Sequence, residues 1–133
     1  MLVENLGGDA EENGLHRSDI QMDVELKLRL AGIKVLTEEE SLNDPSHVYL
    51  YVNVLVKVDK TPPVSGLVAY NISCELKQYV SLVRDPSVVR TATTWDTGGL
   101  GLIGKDKLRN IRNYVKDQVD HFLNAYLSVN PKQ

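Results

Sequence analysis

The stretch that decides the fold is Val48-Tyr-Leu-Tyr-Val-Asn-Val-Leu-Val-Lys-Val58, in which every even position is Val or Leu. Tyr, Asn and Lys occupy the odd positions together with Leu55. Strand side chains alternate between two faces, so the pattern predicts a sheet with one buried face. Residues 68–82 repeat the alternation, and residues 88–95, rich in Val and Thr, complete a predicted antiparallel meander. Turns are predicted at 61–63 and 84–87, and a glycine-rich turn follows Trp95.

Upstream of this sheet, the sequence predicts a β-α-β start. Residues 2–6 read as a short strand and residues 33–36 as a second one. Between them, Ser18 and Gln21 have capping-box spacing and Gly32 supplies a stop, which together predict a helix over 19–31. The same segment alternates apolar and charged residues, so a strand is the alternative interpretation.

As a helix, residues 19–31 carry two apolar stripes. One stripe is Ile20, Val24, Leu28 and Ala31, and the other is Met22, Leu26 and Leu30. A helix in a small domain buries one stripe, so the leucine-bearing stripe is a candidate interface.

The clearest element is a C-terminal helix over about residues 105–127. Its apolar stripe has 3.6-residue spacing and comprises Leu108, Ile111, Val115, Val119, Phe122 and Tyr126. A basic stripe, turned about a quarter circle away, comprises Lys105, Arg109, Arg112 and Lys116. Such a stripe is usually a solvated flank, and the alternative is an acidic partner such as a neighbouring subunit. The elements together predict one α+β domain over 1–133, a two-layer sandwich with helices on the apolar face of a mostly antiparallel sheet.

Composition narrows the class of protein. The 133 residues carry a net charge of -3, which argues against a general nucleic-acid binder. Residues 1–46 hold 11 acids and 4 bases, which leaves 7 acids and 11 bases from His47 onward, so the two parts carry -7 and +4. This asymmetry predicts complementarity between the halves or between subunits. No apolar run reaches the roughly 18 residues that a membrane span needs, and the start lacks the features of a secretory signal.

Two short motifs suggest chemistry. Residues 99–104 fit G-x-G-x-x-G and, with Lys105, resemble a phosphate-binding loop, although Asp106 stands where Ser or Thr would hold magnesium. They support an alternative function, an anion or nucleotide site at the N-terminus of the last helix. Asp96-Thr97-Gly98 is the tripeptide of aspartic proteases. It supports a second alternative, a small hydrolase that uses the predicted Trp95 to Gly104 loop with Asp96 as acid or base.

Other reactive side chains do not form a pattern. The three histidines lack a second ligand at metal-binding spacing, and the single cysteine, Cys74, falls on the apolar side of its strand. The sequence therefore predicts no metal site, no cofactor and no catalytic constellation.

The polar face of the predicted sheet is the main candidate surface. Tyr49, Tyr51, Tyr79 and Trp95 are placed there by alternation, among hydroxyl and charged side chains. The candidate ligand-binding residues are Tyr49, Tyr51, Tyr79, Trp95, Asp96, Gly99 and Lys105. We expect a non-enzymatic binding or assembly domain, a homodimer that also takes a protein or small ligand.

Four segments together resemble a group of small uncharacterised bacterial proteins. The segments are 25–35, 49–54, 92–99 and 122–131, so the resemblance extends over almost the whole chain. Members of the group carry a signal peptide, and similar domains travel on mobile gene cassettes. The resemblance implies a periplasmic or secreted location, whereas the sequence as given, if complete, is expected to be cytoplasmic. It implies no catalytic residue or ligand.

Overall fold

The computed structural model describes residues 1–4, 6–61 and 66–131. Within these residues the chain forms four strands and four α-helices. In order they are β1 (Leu2–Val3), α1 (Gly8–Glu11), α2 (Arg17–Leu30), α3 (Glu38–Leu42), β2 (Tyr49–Val58), β3 (Leu67–Leu82), β4 (Asp85–Gly104) and α4 (Ile111–Val129). A 3-10 helix, Lys105–Asn110, joins β4 to α4.

The sheet has the order β1-β2-β3-β4. β2, β3 and β4 are antiparallel neighbours, and β1 is parallel to β2. The prediction of an α+β fold with a mostly antiparallel sheet is therefore confirmed. The predicted turn at 61–63 lies mostly outside the described residues. The next turn is shorter than predicted, because Leu82 pairs with Asp85 across the two residues Val83 and Arg84.

The alternation in β2 and β3 separates core from surface as predicted. Even-numbered side chains of β2 and of β3 as far as Leu76 are buried or partly buried and share one core with the helices, whereas those of β3 beyond Leu76 lie outside this core. α4 contributes the predicted stripe and contacts β3 and β4, while α2 contacts α4 and β1. Buried members of this core include Val52, Val54, Ile72, Cys74, Val24, Leu28, Ile111, Val115 and Val119.

The predicted helix forms as α2, but it starts differently. His16 precedes the first turn and makes no side-chain capping bond, so the predicted capping box is wrong. The predicted stop is confirmed, because Gly32 has a φ of 84° that other residues rarely adopt. The amide of Gly32 donates to Arg29 and that of Ile33 donates to Leu28, both at 2.9 Å, as in a Schellman motif.

Residues 33–36 do not form the predicted strand. Ile33 and Val35 instead pack against the core as partly buried side chains. The apolar alternation of this segment therefore reflects packing on the core and not pairing with another strand. The strand that pairs with β1 is β2, which follows three helices later in the chain.

The glycine-rich segment after Trp95 is strand, not a turn, and the sequence-based prediction is wrong there. β4 continues to Gly104, and the last α-helix begins at Ile111 rather than near residue 105. Close packing accounts for the glycines. Gly101 pairs with Tyr70, and a Cβ at Gly101 would stand 2.7 Å from Cζ of that ring. The glycine thus makes room for an aromatic side chain that crosses the strand.

Candidate functional site

The candidate surface is the side of the sheet that faces away from the core, here called the open face. Odd-numbered side chains of β2 and β3 project from it, and the strand register extends it onto β4. Three cross-strand rows define it. They are Tyr51, Glu75 and Asp96; Leu55, Asn71 and Leu100; and Lys57, Ala69 and Leu102.

A β-bulge at Thr94 changes which β4 residues reach the open face. Lys77 pairs with Thr93, but the preceding residue, Leu76, pairs with Trp95, so Thr94 is an extra residue. Trp95 consequently points to the core and contacts Phe122 edge-to-face at 5.5 Å between ring centroids. Its predicted place on the open face is wrong. The same shift places Asp96 and the following even-numbered residues on the open face.

At one end of the open face, charged and aromatic groups pair with each other. The Lys77 ammonium lies 5.3 Å from the Tyr51 ring centroid, 3.2 Å from a Glu75 oxygen and 2.9 Å from the Thr93 hydroxyl. Desolvation, helped by Glu4 and Glu75, raises the pKa of Tyr51. These contacts hold the tyrosine and lysine in fixed positions and neutralise the lysine charge.

Tyr49 is the cross-strand partner of Lys77, and Tyr79 lies two residues further along β3. Tyr79 stacks on His47 with 4.3 Å between ring centroids, on the part of the β3-β4 hairpin that extends past β2. The two tyrosines line a cavity of about 310 Å³ together with His47 and Thr91. The predicted tyrosines thus occupy one end of the sheet, although they do not form a single stacking platform.

Asp96, the acid or base of the hydrolase hypothesis, is exposed on a strand rather than in a loop. Its neighbour across the sheet is Glu75, which already pairs with Lys77. The structure therefore places Asp96 on an open surface beside a second carboxylate, where water has free access.

Gly99 and Lys105 are not brought together as a phosphate-binding loop. Gly99 faces α4, where a Cβ would stand 3.7 Å from the Gln118 amide nitrogen. Lys105 begins the short 3-10 helix after β4. The loop on which the G-x-G-x-x-G hypothesis depends is a strand, so its backbone amides are spread along the sheet and do not converge on one phosphate.

The other end of the open face is apolar, a feature that the sequence analysis missed. Leu55, Leu100 and Leu102 leave 57%, 79% and 69% of their surface exposed. We call this the leucine patch, and it comprises Leu55, Leu67, Ala69, Leu100 and Leu102. Asn71 lies between Leu55 and Leu100, and Lys57 borders the patch. Exposed apolar side chains that cluster on one face often mark an interaction surface. The signal in the sequence was the alternation of Leu100 and Leu102, hidden by the surrounding glycines.

The two stripes of α2 behave as predicted. Ile20, Val24 and Leu28 are buried, whereas Met22, Leu26 and Leu30 are exposed. The exposed stripe is a second apolar surface, on α2.

Two residues of the basic stripe of the last helix, Arg112 and Lys116, lie beside an acidic side chain of the same chain. Arg112 donates to both oxygens of Asp23 at 2.8 and 2.9 Å, and Lys116 lies 3.9 Å from the same carboxylate. Hydrogen bonds from Arg112 hold the pKa of Asp23 below its usual range. The charge asymmetry between the two halves of the sequence is therefore used in part to join α2 to α4.

The remaining reactive groups are dispersed. Burial raises the pKa of Cys74 to about 12, so this thiol is packed rather than reactive. Among the described residues, no group of three or more His, Cys, Asp or Glu side chains is arranged to hold a metal ion.

None of the described helices combines the length and the apolarity that crossing a membrane requires. No protein-family model matches the sequence, and no curated protein shows detectable similarity to it.

Proposed function

We propose that this domain is a non-enzymatic binding and assembly module that acts as a homodimer. In this proposal the helices form one layer, the sheet forms the other, and the open face is the recognition surface. The observation that carries the proposal is the leucine patch, where Leu55 of β2 and Leu100 and Leu102 of β4 are largely exposed on the same face of the sheet. We further propose that the protein belongs to the exported bacterial group that its sequence resembles.

The energetics favour a covered patch. Full burial of an exposed leucine side chain is worth about 2 kcal/mol. Scaled by their exposed fractions, burial of Leu55, Leu100 and Leu102 on each of two copies supplies roughly 8 kcal/mol before the costs of association, so a micromolar complex needs further contacts. In a dimer with a two-fold axis each interface residue contributes twice.

The polar end of the open face supports a role in specificity rather than in chemistry. Lys77 holds Tyr51 and Glu75 in place by a cation-π contact and an ion pair. Groups that are already paired orient a protein or small ligand by shape and by the remaining hydrogen-bonding atoms. Asp96, the acid on which the hydrolase alternative depends, is solvent-exposed and faces a paired carboxylate.

The test is the solution mass of the purified chain, measured by light scattering over a range of concentrations. We expect twice the 14.9 kDa of one chain for the wild type. Leu102→Glu should shift the protein to monomer, because it places a charge in the leucine patch. Leu26→Glu, which alters the exposed stripe of α2, is the matched control and should stay dimeric. A monomeric wild type, or a dimer lost only in Leu26→Glu, would overturn the proposal.

A further inference from the structure

The outer edge of β4 is divided into two unlike parts. β4 pairs with β3 along one side, and no other described strand lies on its other side. The first part, Asp85–Asp96, contains the devices that normally prevent sheet extension: a proline, charged side chains and the bulge at Thr94. The second part, residues 97–104, has no charge, no proline and no bulge. This second part is an unprotected edge.

The unprotected edge also adjoins the leucine patch. Leu100 and Leu102 project from it on the open face and are the most exposed leucines of the sheet. A strand added at this edge would therefore gain main-chain hydrogen bonds and place its own side chains against Leu100 and Leu102.

We propose that two copies of this chain pair antiparallel along residues 96–104, about a two-fold axis at Leu100, to form one continuous eight-stranded sheet. The inference rests on the proposed function, because it names the interface of the proposed homodimer. Leu100 of each copy would lie against Leu100 of the other, and the remainder of the two leucine patches would form one surface that spans both copies.

The sequence of the edge is complementary to itself in this register. Leu100 faces Leu100 of the second copy, and Leu102 faces Gly98, where no side chain obstructs it. Asp96 faces Gly104, next to Lys105 of the second copy, so opposite charges meet at both ends of the paired segment. Within the paired segment no two like charges stand opposite each other. These features favour a second copy over a foreign peptide.

Cysteine cross-linking tests this register directly. The native Cys74 is buried, so an introduced surface cysteine is the reactive thiol. Directly opposed residues of antiparallel strands have Cα atoms about 4.5–5.5 Å apart, which a disulfide can bridge. We expect Leu100→Cys to form a covalent dimer under mild oxidation at micromolar protein.

Leu102→Cys is the matched control, since it lies on the same face and is similarly exposed. Its two copies would be offset by four residues, about 14 Å along the strand, and should not cross-link. Val83→Cys, fully exposed at the hairpin tip, reports random collisions. Circular dichroism of each variant checks that it folds.

A second variant tests the same axis without oxidation. Leu100→Lys places two positive charges opposite each other and should weaken dimerisation at least tenfold, while Val89→Lys, on the protected part of β4, should not. A dimeric wild type in which Leu100→Cys cross-links no better than its controls, or in which Leu100→Lys has no effect, overturns the interface and leaves the proposed function intact. A monomeric wild type overturns the proposed function as well.

Discussion

The ion pair between α2 and α4 gives a prediction that can be worked out from its geometry. Arg112 donates two hydrogen bonds to Asp23, whose side chain is 12% exposed, while that of Arg112 is 34% exposed. Asp23→Asn removes the negative charge but keeps the size of the side chain. It leaves Arg112 with a neutral acceptor and with the more distant Asp19, 3.8 Å away.

The expected loss in free energy of unfolding at pH 7 is about 1–2 kcal/mol. A hydrogen bond to a charged group contributes about 1.5–3 kcal/mol when well shielded. Because a third of the Arg112 side chain is in water, solvent screening reduces that value. In a domain with a total stability of about 5–15 kcal/mol, such a loss is readily measured.

The pH dependence provides an independent check. Arg112 lowers the pKa of Asp23 from its ordinary value of 3.8, so the folded state favours the ionised carboxyl. The stabilisation is therefore complete above about pH 5 and is lost as the pH falls through the lowered pKa of the folded state. Asn does not titrate, so the difference between wild type and Asp23→Asn should shrink in acid.

Urea unfolding at pH 7 and at stepwise lower pH measures both effects. Asp117→Asn, which alters an exposed acid on α4, is the control and should change stability by less than about 0.5 kcal/mol. The reasoning fails if Asp23→Asn matches this control at pH 7, or if its deficit persists undiminished in acid.

Two further predictions concern β4 and the single thiol. Gly98→Ala should lower the free energy of unfolding by about 1–3 kcal/mol, because its Cβ would overlap the main-chain oxygen of Ile72. Gly99→Ala, whose Cβ would make only an ordinary contact with Gln118, should stay within about 0.5 kcal/mol of wild type in urea unfolding. Equal effects of the two substitutions would contradict the packing argument. Cys74 should react with a thiol reagent at pH 8 only at the rate of unfolding, because it is buried and its pKa is raised to about 12. Rapid labelling of the native protein would show that the strand opens locally.

How far the sequence predicts the fold depends on whether a signal is local. The alternation in β2 and β3 identifies both strands and their buried faces, because burial repeats along the strand itself. The glycines of β4 mislead, because glycine is typical of turns and nothing local reveals that Gly101 makes room for Tyr70 of the next strand. The segment at 33–36 misleads for the opposite reason. Its apolar alternation predicts a strand, but its apolar side chains pack on the core without any strand pairing.

The candidate site was less predictable than the fold because it depends on one extra residue in β4. Without the bulge at Thr94, strict alternation would place Trp95 on the open face and would turn Leu100 and Leu102 toward α4. The bulge reverses both assignments. It gives the core an aromatic contact with Phe122 and leaves the two leucines beside an uncharged edge. The same insertion also ends the protected part of that edge, so core packing, the leucine patch and the unprotected strand all follow from a single irregularity in pairing.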